Sequence, residues 1–117
     1  MKENELRIGN WVTFMSKEMD VLGVTKHNGT NETVRHYVEF KGLVPIKLIH
    51  IKPIPLTEEW LLKFGFVKDK LTNYDWYKGD FEICLPSYFK YKESHIHNIK
   101  HVHQLQNLCH ALTGKEL

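Results

Sequence analysis

Only two stretches of this 117-residue chain carry apolar side chains at helical spacing; most of the rest alternates in short runs cut by Gly, Pro and Asn. Helical spacing gathers residues i, i+3 and i+4 on one face, whereas alternation sends every second residue to one face of a strand. A chain with one helix near its middle, one at its end and strands elsewhere is confined to an α+β arrangement. The first signal is "TEEWLLKFG". Thr57 is a capping residue, Glu58 and Glu59 suit the positive end of the helix dipole, and Gly65 stops the helix. Trp60, Leu61 and Phe64 form its apolar stripe. The second helix is expected from about His103 to Leu112, with Leu105, Leu108, Cys109 and Leu112 as its stripe and Gly114 as its C-cap. Its expected role is to seal the second half of the chain.

The residues before the first helix read as β. "LRIGNWVTFM" (6–15) predicts a strand with a bend at Gly9-Asn10, and Asp20 to His27 a second. "HNGTNE" (27–32) predicts a turn, and Thr33 to Phe40 the return strand, with Val34, His36, Val38 and Phe40 on one face. After a turn at Lys41-Gly42, "PIKLIHIKPIPL" (45–56) alternates as one strand that Pro53 and Pro55 end. Four or five short strands within about 55 residues predict a small SH3-like β-barrel or curled sheet. Beyond the first helix, "YDWY" and "FEICL" predict a hairpin turning at Lys78-Gly79, with further strands at "YFKYK" and "HIHNIKHV". The expected plan is a lobe over 1–55 followed by a compact α-β-β-β-α lobe over 56–117, with "HIHNIKHV" as one further strand before the closing helix. Cores that small are marginal alone, so the two lobes are expected to pack together, as one domain overall or nearly so.

Composition narrows the function classes. No apolar run reaches the 18 residues of a membrane span, and the N-terminus lacks the apolar centre of a secretory signal. Cys84 and Cys109 lie far apart, which is no disulfide framework, so a reducing cytosol is expected. The net charge of +2 is spread evenly, and 14 of the 16 cationic side chains are lysine. With so little arginine to fork onto phosphates and guanine edges, a duplex-DNA footprint is not expected.

Candidate sites follow from residue type and spacing. His95, His97, His101 and His103 share parity, so one extended strand would put all four on one face. Such a face offers a zinc-like pair, yet no Asp, Glu or Cys within the stretch supplies a third ligand, and no metal is expected. Adjacent Cys109 and His110 point to different parts of a helix and make no nucleophile pair. Asp75, Asp80 and Glu82 flank the hairpin as a charged edge. No phosphate-cradling or nucleophile-elbow motif is present, so neither catalytic residues nor a cofactor are expected. Phe81 and Phe89 are expected in the core, and Trp11 and Trp60 in structural places. The remaining aromatics interleave with cations, as a platform for stacking a base does. Arg35, Tyr37, Tyr74, Trp76, Tyr88 and Lys90 are the expected ligand-binding residues, with Tyr74 and Trp76 on one strand face.

Three blocks, "LRIGNWV" at 6–12, "PIPLTEEWLLKFGF" at 53–66 and "IKHVHQLQNLCHALTGKEL" at 99–117, resemble a family of small proteins of Bacteroides-type bacteria, their phages and mobile elements. The resemblance runs from one end of the chain to the other and implies a phage or mobile-element accessory protein of the host bacterial cytosol. It implies no catalytic residues. Segments 16–45 and 67–98 stand outside it and are where features particular to this chain are expected. Together these readings predict a non-enzymatic binding protein for a small anionic, nucleotide-like host signal. The alternatives are a protein–protein interaction module, with a host protein or a second copy as partner, or a single-stranded nucleic-acid binder.

Overall fold

The computed structural model describes residues 5–28, 34–85 and 88–117. The expected turn over 27–32 falls largely outside them. The described chain forms three open sheets and two α-helices, an α+β architecture in which no sheet closes on itself.

The first half makes two three-stranded sheets. Strand β1 (Trp11–Phe14) pairs antiparallel with β2 (Lys17–Asp20) on one side and with β6 (Lys52–Pro53) on the other. Strands β3 (Gly23–Asn28), β4 (Val34–Glu39) and β5 (Ile46–Lys47) form the second sheet in that order. Only Val21 and Leu22 separate β2 from β3, so one nearly continuous run of chain serves both sheets. Val12, Val21, Val38, Phe40 and Ile51, with Leu6, fill the space between.

Two expected strands are corrected here. The run from 6 begins as a turn, because Asn10 donates its backbone N–H to the Arg7 carbonyl and accepts that of Arg7 on its side chain. Gly9 takes φ 93°, a conformation that costs glycine little, and the strand starts only at Trp11. The 45–56 run is split into β5 and β6 by a 3-10 turn at Leu48–His50. That turn breaks the alternation: Ile49 is 82% exposed while Ile51, of the same parity, is buried. Pro53 is tolerated because β6 is an edge strand, where its missing N–H leaves no ladder bond unmade.

Helix α1 (Glu58–Lys63) forms where expected, with Trp60, Leu61 and the following Phe64 buried and Gly65 at φ 87°. The chain then meanders through β7 (Val67–Lys68), β8 (Trp76–Lys78), β9 (Phe81–Cys84), β10 (Tyr88–Tyr91) and β11 (Ser94–His95), each neighbour antiparallel to the last. The hairpin loop is Gly79-Asp80, one residue beyond the expected pair, with Gly79 supplying the positive φ that a two-residue loop requires. The expected strand "HIHNIKHV" stops at His95; Ile96 to Lys100 are irregular, and His101 makes one isolated bridge to Pro55.

Helix α2 (Val102–Thr113) closes the chain, with Gly114 at φ 72° as its C-cap. Gln104 secures its start by accepting the backbone N–H groups of Lys100 and His101. Its buried face is Val102, His103, Leu105, Gln106 and Cys109, whereas the expected Leu112 is 41% exposed. Counting apolar residues alone therefore turned the stripe too far. Leu61, Phe66, Trp76, Phe81, Ile83, Phe89, Leu105 and Cys109 form the core of this half, between the helices and one face of the sheet.

The halves meet along a polar seam. Gln106 accepts the Trp11 backbone N–H at 2.8 Å and donates to the Gly9 carbonyl at 3.0 Å. Asn107 accepts from Asn10 at 2.8 Å and from Arg7 at 3.2 Å, and donates to the Glu5 carbonyl at 2.6 Å. Arg7 also pairs with Glu116, which holds that carboxyl below its ordinary range. The third block joins through backbone bonds from Leu56 to Lys100 and from Val102 to Ile54. Residues 6–12, 53–66 and 99–117 thus bind one another and make the frame. The molecule is elongated, 58 × 26 × 23 Å with a radius of gyration of 16.1 Å, against ~13 Å for a compact chain of this length.

Candidate ligand-binding face

The five-stranded sheet turns one face to the core and leaves the other open. Alternation sends Trp76, Phe81, Ile83 and Phe89 inward. The residues between them align across the sheet by register: Val67 opposite Tyr77, Tyr77 opposite Glu82, Glu82 opposite Lys90, and Lys90 opposite His95. One row therefore crosses all five strands, and Tyr88, two positions along from Lys90, lies on the same face opposite Cys84.

Hydrogen bonds hold this row in one arrangement. The Tyr77 hydroxyl donates to Glu82 Oε1 at 2.7 Å and the Tyr88 hydroxyl to Glu82 Oε2 at 3.0 Å. Both donors stabilise the charged carboxylate, so Glu82 is held below its usual range, the Tyr77 bond being the largest cause. Tyr77 is correspondingly pushed up, chiefly by that same bond, and Tyr88 is pushed up first by burial and then by Glu82. The His95 ring meets Tyr88 edge-on at 5.2 Å. Lys90 lies 3.5 Å from Glu93, which raises its pKa and keeps it cationic. The face thus offers two phenol rings held by a charged carboxylate between them, an imidazole and a lysine.

The structure divides the expected binding residues. Tyr88 and Lys90 come together on this face. Trp76 does not: it is 6% exposed on the opposite face, with its Nε1 unpartnered among the described residues. Tyr74 precedes β8 rather than sharing its face, and is 58% exposed. Arg35 and Tyr37 belong to β4 in the other half; Tyr37 is half-buried opposite Thr25 and Lys47, and the Arg35 side chain lies outside the described residues. Tyr77 was missed, while Glu82 and His95 were read as part of a charged hairpin edge and of a histidine row rather than of this face. The signal that could have found them is hairpin register, since a loop at Gly79-Asp80 sets Tyr77 directly against Glu82.

The histidine row does not form, because no strand carries it past His95. His101 and His103 instead stack at the start of α2, with ring centroids 5.9 Å apart. His103 is fully buried, 3.5 Å from the Glu5 carboxylate, with no hydrogen bond to either ring nitrogen among the described residues. Burial lowers its pKa, outweighing Glu5, which raises it. Among the described residues no three His, Cys, Asp or Glu side chains converge as a metal site would require. Burial pushes the Cys109 thiol up to about 12 and raises that of Cys84, so neither is a thiolate at neutral pH.

Two larger cavities lie away from this face. One, of about 310 Å³, opens between the Gly79-Asp80 loop and the end of α2 over Phe81, Tyr91 and Cys109. The other, of about 510 Å³, lies where the halves meet and is lined by Trp11, Glu18, Trp60, Lys63, Phe64 and Leu117. Among the described residues no helix is long and apolar enough to cross a membrane. Comparison with protein-family models, with curated proteins and with solved structures finds no match.

Proposed function

We propose that this chain is a non-enzymatic binding protein of a phage or mobile element, holding a small anionic, nucleotide-like molecule on the open face of its five-stranded sheet. The observation that carries the reading is the Tyr77–Glu82–Tyr88 cluster beside Lys90 and His95 on a face that neither helix covers. Fixed aromatic rings contribute about 1–3 kcal/mol per stacked base, and they lose little freedom when hydrogen bonds already orient them. Lys90 supplies the charge attraction for a phosphate, while the two phenols occupy Glu82. The setting is supported by the resemblance of the three blocks that frame the fold.

The scaffold for this face is proposed to include an SH3-like first half. In its support, β6 follows a 3-10 turn and returns to β1, and the β2–β3 run passes from one three-stranded sheet to the other. Such a layout leaves the second half free to carry the ligand.

Isothermal titration with nucleoside monophosphates, nucleoside triphosphates and cyclic dinucleotides tests the reading. Micromolar binding of at least one is expected, weakened about tenfold or more by Tyr88→Ala and by Lys90→Ala, in keeping with a loss of ~1.4 kcal/mol or more. Absence of binding at micromolar concentration across the panel contradicts it.

A second reading, a protein partner docking on the first half, is favoured by the exposure of Leu43, Val44 and Ile49 around β5. Cross-linking that maps a partner to these residues, with the sheet face untouched, would support it over the first.

A further inference from the structure

The cleft of about 510 Å³ where β1 and β2 meet α1 combines features that a simple packing gap does not require. Three rings line it. The Trp60 centroid lies 5.7 Å from that of Trp11 and 5.5 Å from that of Phe64, in tilted pairs. A cation already sits among them, since Lys63 Nζ lies 4.5 Å over the Trp60 ring. That distance is within the ~6 Å over which an aromatic quadrupole attracts a positive charge.

The wall across from α1 carries one carboxylate at the cleft, Glu18, while Lys52 lies opposite Thr13 on the same strand face. Register sets Trp11 opposite Asp20 and Thr13 opposite Glu18, so all four share one face of the β1–β2 pair. Glu18 lines the cleft itself. Neither Glu18 nor Asp20 makes an ion pair among the described residues. Glu18 is thus a carboxylate without an ion-pair partner among the described residues, at the rim of a cleft lined by three rings, with Lys63 as the cation in place.

We infer that this cleft is a binding site for a quaternary or alkylated ammonium group, which takes the position over Trp60 that Lys63 holds in its absence. Such a group fits better than the alternatives on chemistry alone. It donates few or no hydrogen bonds, is weakly hydrated, and gains from ring faces and from a carboxylate at the rim without needing a directional partner. An anion would meet Glu18, and a neutral apolar molecule would make no use of it. Lys63 is a strongly hydrated ammonium on a flexible four-carbon stem, so it can swing out to water at modest cost. A volume of about 510 Å³ falls within the ~300–1,000 Å³ of small-molecule sites.

The test uses the full chain and tryptophan fluorescence, because Trp11 and Trp60 both line the cleft. Choline and tetramethylammonium are titrated beside 3,3-dimethyl-1-butanol, the neutral isostere of choline, and beside trimethyllysine and unmodified peptides. The expected result is saturable binding of the ammonium probes, weakened about tenfold by Glu18→Gln and tightened about threefold by Lys63→Ala. Glu18 is exposed, so its variant keeps the fold and remains informative even if Trp11→Ala does not fold. Preference for choline assigns a free amine; preference for the trimethyllysine peptide assigns a modified chain, and either supports the site. Equal binding of the neutral isostere, an unchanged affinity in Glu18→Gln, or no binding of any ammonium probe at millimolar concentration overturns it.

Discussion

The two halves of this molecule reach similar size by different means. Among the described residues, the first buries six apolar side chains, five of them aliphatic, between two small sheets. The second buries eleven of its described residues, six of them aromatic, between two helices and a five-stranded sheet, with Ile54 of the first half packed among them. Aromatic side chains contribute more buried area per residue, so the second half can devote a whole sheet face to solvent and still keep a core. The first half cannot. It is held through polar bonds from the Arg7–Trp11 segment to Gln106 and Asn107, and through the backbone bonds around Pro55. The lesson is one of dependence: the frame runs across the halves, and the open face belongs to the half with surplus core.

The largest expected effect breaks the stronger half. Ile83→Ala opens a cavity at a fully buried position and should cost about 2–5 kcal/mol. The same change in the first half, Ile51→Ala, removes the same atoms from a smaller core and should fall at the low end of that range, about 2 kcal/mol. Denaturant unfolding of both variants checks the difference; equal losses would mean that the halves do not differ in this way. Next comes the seam. Gln106→Ala strands the Trp11 N–H and the Gly9 carbonyl, and a buried group left unpaired costs about 1–3 kcal/mol. Hydrogen exchange should then speed up across β1 to β6 before it does across β8 to β10. Uniform acceleration would show that the seam holds no boundary.

The smallest effect sharpens the comparison at the helix that joins the halves. Burial keeps the His103 pKa below the ordinary histidine value of 6.5, so the folded state binds this proton less readily than the unfolded chain. Stability should therefore be fully present above about pH 6.5 and should fall as pH drops below it. The slope from this one group is at most ~1.4 kcal/mol per pH unit. Thermal melts across this range should show the decline, and His103→Leu should flatten it. A variant as pH-sensitive as the natural chain would assign the decline to other groups.

Much of the frame was legible because local signals agreed there. The stop of the Glu58–Lys63 helix at Gly65, the hairpin around Gly79 and the Gly114 cap each rest on a glycine whose backbone freedom matches its place, whereas Thr57 makes no capping hydrogen bond from its side chain. The 3-10 turn at Leu48–His50 was hidden because alternation around it looks like a strand, and only packing of Ile51 favours the break. The face of α2 was misread because Gln106 and His103 are polar yet buried, the first through bonds to a segment almost 100 residues away. The candidate face was half legible. Tyr88 and Lys90 announced themselves by type, whereas Glu82 and His95 join them only through register across four strand pairs. The two tryptophans read as structural are packed, but they also line the cleft between the halves.

The most direct test of the account is to record backbone and side-chain NMR shifts while the nucleotide that binds best in the titration panel is added. The account predicts shifts gathered at Tyr77, Glu82, Tyr88, Lys90 and His95, with β3, β4 and β5 unmoved. Shifts centred on Tyr37 in the first half, or none on the sheet face at saturation, would contradict it.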